Sequence, residues 1–444
     1  MKKAITTLLI LVIAAVQNAF AADLLAVYRE ATLQDAVYAA AKAQYIGAQE
    51  RLPQARALLL PNVNFGAGAN YNDLNSEYKN SPFSSGQRDF YDYNYGVTLT
   101  QPLYRSQNAV TFEQAKIQVK QAQTQLAAAA QDLMTRVAQA YFDVLLARAN
   151  LRTIESQKLA VAQQLEQAKR NFVVGTATIT DSREAQARYD LVVAQELGAQ
   201  NEVEVKNRAL EQLVGKPAGE LSGLTTPVSL NPPQPEQMDA WVEQAYQSSL
   251  QIALAQQSLE LAARETERAS AGHRPTLDAV GALSQNYTSS SGQGIGSDVR
   301  ALVIGVQLNV PLYQGGAINS RVREAVANQE RARQDLENAR RSAALQTRQA
   351  YLGVTSGLAQ VKALQQAVAS TQLQLESTKL GQEVGVRTAV DVLNAEQQLS
   401  LARSNLAQAL YNAILNQLRL KAAVGKLAEA DLADINALLT GGAR

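Results

Sequence analysis

Two copies of one short pattern place acidic residues where they could do more than solvate a surface. Thr178-x-x-Asp181 follows Gly175, and Thr388-x-x-Asp391 follows Gly385. A Thr with an acid three residues later is a helix start. The hydroxyl accepts from a first-turn amide, and the carboxylate reaches back to the amide of the Thr. The glycines read as turns just before. A second use is compatible with the first. Three copies of Asp391 around an axis would form a carboxylate ring, which favours cations and sets a field at a constriction. Arg387, in the second turn, could pair with Asp181 and hold neighbouring helices together. Such a pair, if exposed, contributes at most about 1 kcal/mol.

Other chemistry is missing from the sequence. There is no G-x-S-x-G, no H-E-x-x-H and no Walker loop. Cysteine is absent, and the one histidine, His273, sits beside Arg274-Pro275 at a helix-to-strand junction, where a structural role is expected. No metal, cofactor or catalytic set is expected, and an enzyme is the poorest reading. The net charge of +1 gives no electrostatic case for nucleic acid.

The elements that position the two turns are themselves written twice. Val174-Gly175 to Asp181 returns as Val384-Gly385 to Asp391, an offset of 391 − 181 = 210. Val214-Gly215-Lys216 returns as Val424-Gly425-Lys426 at the same offset, and Pro102-Leu103-Tyr104 as Pro311-Leu312-Tyr313 at 209. So long a period means two copies of one large module, not a solenoid. Residues 1–21 read as a signal peptide: Lys2 and Lys3, an apolar run from Ala4 to Val16, then Ala19-Phe20-Ala21. A membrane anchor is the alternative, but the run is too short to span as a helix. The first repeat covers 22–230 and the second 239–444, separated by a Pro-rich linker at 226–238.

Each copy supplies one hairpin, about 62–101 and about 276–310. Val63, Phe65, Ala67, Ala69 and Tyr71 alternate with polar residues, as do Tyr93, Tyr95, Val97 and Leu99, and Leu302, Ile304, Val306, Leu308 and Val310. The run from Leu277 to Tyr287 alternates weakly. Pro61 and Pro275 should open strands; Pro102 and Pro311 should close them. Asn72–Tyr91 and Thr288–Val299 read as polar loops. From Tyr104 to Phe172 there is no Pro and no Gly. Leu126, Ala130, Leu133, Val137, Ala140, Val144, Ala147, Leu151 and Ile154 form a heptad seam there, and Val354 to Leu375 repeats it. A helix of this length reaches roughly 100 Å.

Alternation alone cannot tell lipid from core, so a half-buried soluble sheet stays open for the strands. Each run of about ten residues is also long enough to cross a bilayer when tilted. Four strands leave open edges, which lipid does not tolerate. Three chains would close a 12-strand barrel, and the helices would continue it away from the membrane.

At this point the chain resembles the TolC family of trimeric outer-membrane channels for multidrug efflux and type I secretion. The resemblance runs over nearly all of the mature chain. It is carried by Phe172-Val173-Val174-Gly175 through Asp181, by Val310-Pro311-Leu312-Tyr313-Gln314-Gly315-Gly316, and by Val384 through Ala395. His273-Arg274-Pro275-Thr276-Leu277 and Asn416 through Lys421 add to it. It implies a mixed α and β membrane protein: a homotrimer with a 12-strand β-barrel, four strands per chain, continued by a long α-helical coiled-coil barrel. It implies outer-membrane lipid around the strands. It also implies a periplasmic adaptor and an inner-membrane efflux pump or ABC transporter docking at a periplasmic end closed by coiled helix pairs. Asp391 matches one of two acidic rings at the family's constriction; Asn394 stands at the other and is neutral. Arg387 matches a basic latch residue, and Thr180 with Asp181 match its partners. Gln382 takes the place of a latch tyrosine, keeping hydrogen bonding without the ring. The competing readings are a soluble secreted coiled-coil structural or adhesin protein, and a periplasmic adaptor, which should lack the paired strands.

Overall fold

The computed structural model describes residues 22–80, 82, 85–176, 178–217, 219–224, 230–291, 293 and 295–439. Residues 1–21, expected to be a signal peptide, Ala177, and positions 225–229 of the expected linker lie outside the described residues. The elements run in chain order as α1 (Leu24–Gln34), α2 (Ala36–Gln49), α3 (Arg51–Ala57), β1 (Asn62–Ser76), β2 (Gly86–Tyr104), α4 (Ser106–Val173) and α5 (Ile179–Val214). They continue as α6 (Met238–Ser248), α7 (Leu250–Ser270), a 3-10 turn at Ala271–His273, β3 (Thr276–Thr288), β4 (Ser297–Asn309), α8 (Ala317–Glu383), α9 (Ala389–Ala423) and α10 (Glu429–Leu439).

The chain divides into two compact units that do not follow the sequence repeat. One comprises 1–42, 125–252 and 339–444; the other comprises 43–124 and 253–338. Each takes segments from both copies.

The second unit holds the sheet. Its four strands are antiparallel in the order β1-β2-β3-β4. That order leaves β1 and β4 unpaired at the edges. One face carries a continuous apolar surface that nothing among the described residues covers. Leu302 is 69% and Ile304 80% exposed, with Phe65 and Val306 similar. A patch of this extent marks an interaction or membrane surface. Toward the hairpin tips Tyr71 and Tyr91 stand 5.1 Å apart, and Tyr93 and Tyr287 6.0 Å apart. Aromatics at the end of an apolar band are what a bilayer interface favours.

Two sequence expectations are corrected here. The stretch 72–91 is mostly strand: β1 continues to Ser76 and β2 begins at Gly86. Cross-strand polar pairs support it, with Asn70 Nδ2 donating to Asp92 at 2.7 Å and Gln87 Nε2 to Asp73 at 2.9 Å. Polar composition signals solvent, and a hairpin that extends beyond lipid is solvated while still paired. Pro102 does not close β2. The strand continues to Tyr104, with a register shift between Pro102 and Tyr104. A bulge is where a strand tolerates a residue that lacks an N–H.

The other unit contains the main core. Leu133, Val137 and Val144 of the α4 seam are fully buried, packed with Leu24, Val27 and Tyr28 of α1, Leu210 of α5, Ile414 and Leu418 of α9, and Leu432 of α10. Tyr141 is buried among them and donates its hydroxyl to the Ser222 carbonyl at 2.7 Å. Val354, on the matching seam of α8, is buried against Trp241, Ala245, Leu420 and Val424. Among the described residues no helix is long and apolar enough to cross a membrane.

Candidate functional site

Each Val-Gly turn joins a long helix to one about half its length, α4 to α5 and α8 to α9. Gly175 has φ +79° and Gly385 φ +81°. Both helix ends close in the same way. Gly175 N–H donates to Phe172 O and Thr176 N–H to Asn171 O; Gly385 N–H donates to Gln382 O and Val386 N–H to Gly381 O. This pair of bonds satisfies the last carbonyls of a helix, and it needs a left-handed residue that glycine adopts without strain.

The helices that follow start on full capping boxes. Asp181 N–H donates to Thr178 Oγ1 at 3.2 Å, while Thr178 N–H and hydroxyl both donate to Asp181 Oδ2 at 2.9 Å. Thr388 and Asp391 repeat the arrangement at the same distances. Aspartate can do the work of the usual glutamate because the hydroxyl of Thr also turns toward it. The Thr178 amide, then its hydroxyl, holds the Asp181 carboxyl below the usual carboxylate range. The Thr388 groups do the same for Asp391, with a smaller pull from Arg387. Both residues are therefore ionised at neutral pH. Because their folded values are depressed, their contribution to the caps is present above the ordinary carboxylate pKa and lost as pH falls through the folded value. Replacing Thr388 with Ala should cost about 1 kcal/mol in α9, read as faster amide exchange over Asp391–Leu393. Unchanged exchange would show that the cap carries no weight.

The two turns differ at Arg387. Its N–H donates to Gly381 O at 3.0 Å, so this carbonyl accepts twice. Its side chain lies across Gly381, with Cγ 2.7 Å from where a Cβ would stand. Glycine inside a helix costs about 1 kcal/mol relative to alanine; here it makes room for the arginine. The first copy has Asn171 at the corresponding place (381 − 210), and its carbonyl accepts from the Thr176 hydroxyl at 3.1 Å. Gly381 was a signal that the sequence reading passed over.

Asn394 has a partner within the chain. Its Oδ1 accepts from Arg188 Nη1 at 3.0 Å, and Arg188 Nη2 also donates to Glu184 at 3.0 Å. One residue earlier, Leu393 is buried with Val161 and Val192, between Ile154 and Tyr189. So α9 of the second copy is fastened to α4 and α5 of the first. Lys158–Glu196 ties α4 to α5 at 2.6 Å, and Lys379–Glu396 ties α8 to α9 at 2.7 Å. Arg188 was also missed, although the Glu184-x-x-x-Arg188 spacing is legible. Thr180 is exposed, and half-buried Gln382 offers its carbonyl to Gly385. Within one chain Arg387 and Asp181 are not paired: the Asp181 carboxylate is engaged by Thr178, and Arg387 makes no ion pair among the described residues. His273 Nε2 meets Asn319 Oδ1 at 3.0 Å at the junction of helix and strand.

The sequence pattern of the family described as "Outer membrane efflux protein" matches residues 27–216 and again residues 241–426, once for each copy. The chain belongs to the outer membrane efflux protein family. Among relatives of this efflux protein, the outer membrane protein TolC of Vibrio cholerae is 36% identical over 422 residues, 94% of each chain. TolC of Escherichia coli is 33% identical, over 95% of this chain and 85% of the relative. The proteases secretion protein PrtF of Dickeya chrysanthemi is 29% identical, over 95% and 92%. Among solved structures, the fold matches VceC of Vibrio cholerae with TM-score 0.75 at 21% identity, over 90% of this chain and 96% of that one. It matches the CmeC channel of Campylobacter jejuni with TM-score 0.78 at 17% identity, over 95% and 91%. The efflux protein is thus an outer-membrane exit duct. Its four strands are one chain's share of a 12-strand trimeric barrel, and its long helices one chain's share of the periplasmic helical barrel. The family is one of passive channels that work within tripartite efflux or secretion systems.

Proposed function

We propose that the two Val-Gly turns are the gate of this duct, at its periplasmic end, opened by a periplasmic adaptor and an inner-membrane efflux pump or ABC transporter. The observation that carries the reading is the pair of ionised aspartates, each fixed by a capping box at a helix start just beyond a glycine turn. Three copies of Asp391 narrow the bore with negative charge. Asn394 adds no charge, and its bond to Arg188 keeps it on the neighbouring arm. Arg387, lying over Gly381 and in no ion pair among the described residues of its own chain, latches to Asp181 and Thr180 of an adjacent helix pair, with Gln382 beside it. The chain is organised as a signal peptide at 1–21 and two repeats at 22–230 and 239–444 around the linker at 226–238. Membership of a family described for efflux and similarity to a relative named for protease secretion support multidrug efflux, type I protein secretion or both as its role.

Single-channel recording in planar bilayers tests the gate. Replacing Arg387 with Ser and Asp181 with Asn should raise conductance severalfold; unchanged conductance would remove the latch. Asp391→Asn should lower cation selectivity and abolish block by multivalent cations, since the amide keeps the cap acceptor but not the charge. Persistence of both would place Asp391 away from the constriction.

A further inference from the structure

A polar cavity lies where the strands meet the long helices, far along the sequence from the Val-Gly turns. It has a volume of about 290 Å³, and its walls include Arg105, Arg274, Arg321, Gln107, Asn309 and Gln314, with no carboxylate among them. Arg105 is matched by Asp278, with Nε donating at 2.8 Å and Nη2 at 2.7 Å. Arg274 gives Nη1 to a neutral partner, the Ser106 hydroxyl, at 2.8 Å. Neither Arg274 nor Arg321 has an ion-pair partner among the described residues. Arg321 also borders the adjoining cavity, which it lines with Glu265, Arg268 and Glu324, one turn along α8; Glu265 is itself bonded to Arg268. Two guanidinium groups, neither of them in an ion pair among the described residues, therefore border a space lined with amide donors. We infer that this cavity is a binding site for phosphate-type oxyanions in the lumen of the duct.

The register decides which side of the wall it faces. Thr276 pairs with Asn309, and the next pair, Leu277 with Leu308, belongs to the exposed apolar face. Neighbouring residues on a strand point to opposite faces. Thr276, Asp278 and Asn309 therefore project away from lipid, into the barrel. This placement rests on the barrel reading. Forked guanidinium donors bind oxyanions bidentately, in a way that a point charge does not. A field focused between low-dielectric walls concentrates such solutes. The two proposed sites thus differ in charge, acidic at the turns and basic below the sheet.

Calorimetric titration of the detergent-purified trimer with inorganic pyrophosphate tests the site. The wild-type chain should bind with an affinity that falls with salt, and Arg274→Gln with Arg321→Gln should weaken it about tenfold or more. Equal affinity in both would overturn the site. If the double variant fails to assemble, Gln314→Cys serves instead, because the chain has no other cysteine. An anionic thiol reagent should then react about tenfold faster than a cationic one of equal size; equal rates or the reverse order would overturn the proposal. Nanodiscs of zwitterionic lipid with and without anionic phospholipid separate a solute site from a headgroup site. Pyrophosphate affinity should be the same in both, and competition by anionic lipid would overturn the lumenal assignment. Conductance tests the duct itself, so a protein that binds pyrophosphate but does not conduct would sink that reading alone.

Discussion

Replacing Arg136 with Met should destabilise the efflux protein by about 3–5 kcal/mol at neutral pH, the cost of leaving a buried charge without its partner. Asp35 is only 4% exposed. Arg136 grips it with Nη1 and Nη2 at 3.0 and 3.1 Å, and the Tyr38 amide donates to it at 2.7 Å. The arginine's hydrogen bonds outweigh burial and hold the Asp35 carboxyl below the usual range. The sign follows. With a depressed folded pKa, the wild-type contribution is present above the ordinary carboxylate pKa and lost as pH falls through the folded value. Without the cation, burial is the largest single remaining influence and pushes the carboxyl up against the Tyr38 and Val37 amides. The gap between wild type and variant should therefore be widest at pH 7 and shrink as pH approaches ~4. Heat unfolding of the detergent-solubilised protein followed by circular dichroism reads it. Adding Asp35→Asn to the variant should recover part of the loss, because the amide oxygen still accepts from Tyr38. Asp132→Asn, which breaks only the exposed end of the network at 2.6 Å, should cost no more than about 1 kcal/mol. A variant within 1 kcal/mol of wild type at neutral pH would show that Asp35 is not desolvated.

Gly425→Ala should cost roughly 3 kcal/mol or more, and Gly215→Ala only about 1–2 kcal/mol, although the two glycines are repeats of each other. Both have left-handed φ, +74° and +73°. A Cβ on Gly215 would meet only the Gln34 side chain at 3.4 Å, which can move. On Gly425 it would drive into the backbone carbonyl of Ser248, at the end of α6. That backbone is fixed, because the Ser248 hydroxyl donates to Val424 O at 2.7 Å and Trp241 and Ala245 pack on Val424 and Leu420. Heat dissociation of the trimer in detergent should fall markedly for Gly425→Ala and slightly for Gly215→Ala. Equal shifts would show that strain at φ is the whole cost and the close approach contributes nothing.

Much of the molecule was legible before its coordinates. The offset of 210 located both turns, and the Gly and Thr-x-x-Asp chemistry located both caps, because caps and turns are settled by residues within six positions of each other. The heptad seam named Leu133, Val137 and Val144, which lie at the centre of the core. Alternation found the strands, since lipid on one side and water on the other impose period two. The hairpin tip was misread because polar residues signal water, not the lack of a partner strand.

The sequence by itself determined the repeat, the long helices, the turn chemistry and the alternating apolar stripe of the strands, all of which follow from local periodicity and steric preference. Only the tertiary structure decided what each repeated position meets. Arg188 bonds to Asn394 across 206 residues, Arg136 to Asp35 across 101, and Arg387 lies over a glycine that its counterpart turn does not have. Two copies of one pattern share backbone geometry because that geometry is local. They diverge in their surroundings because charge, burial and contact are set by neighbours that no short window of sequence contains.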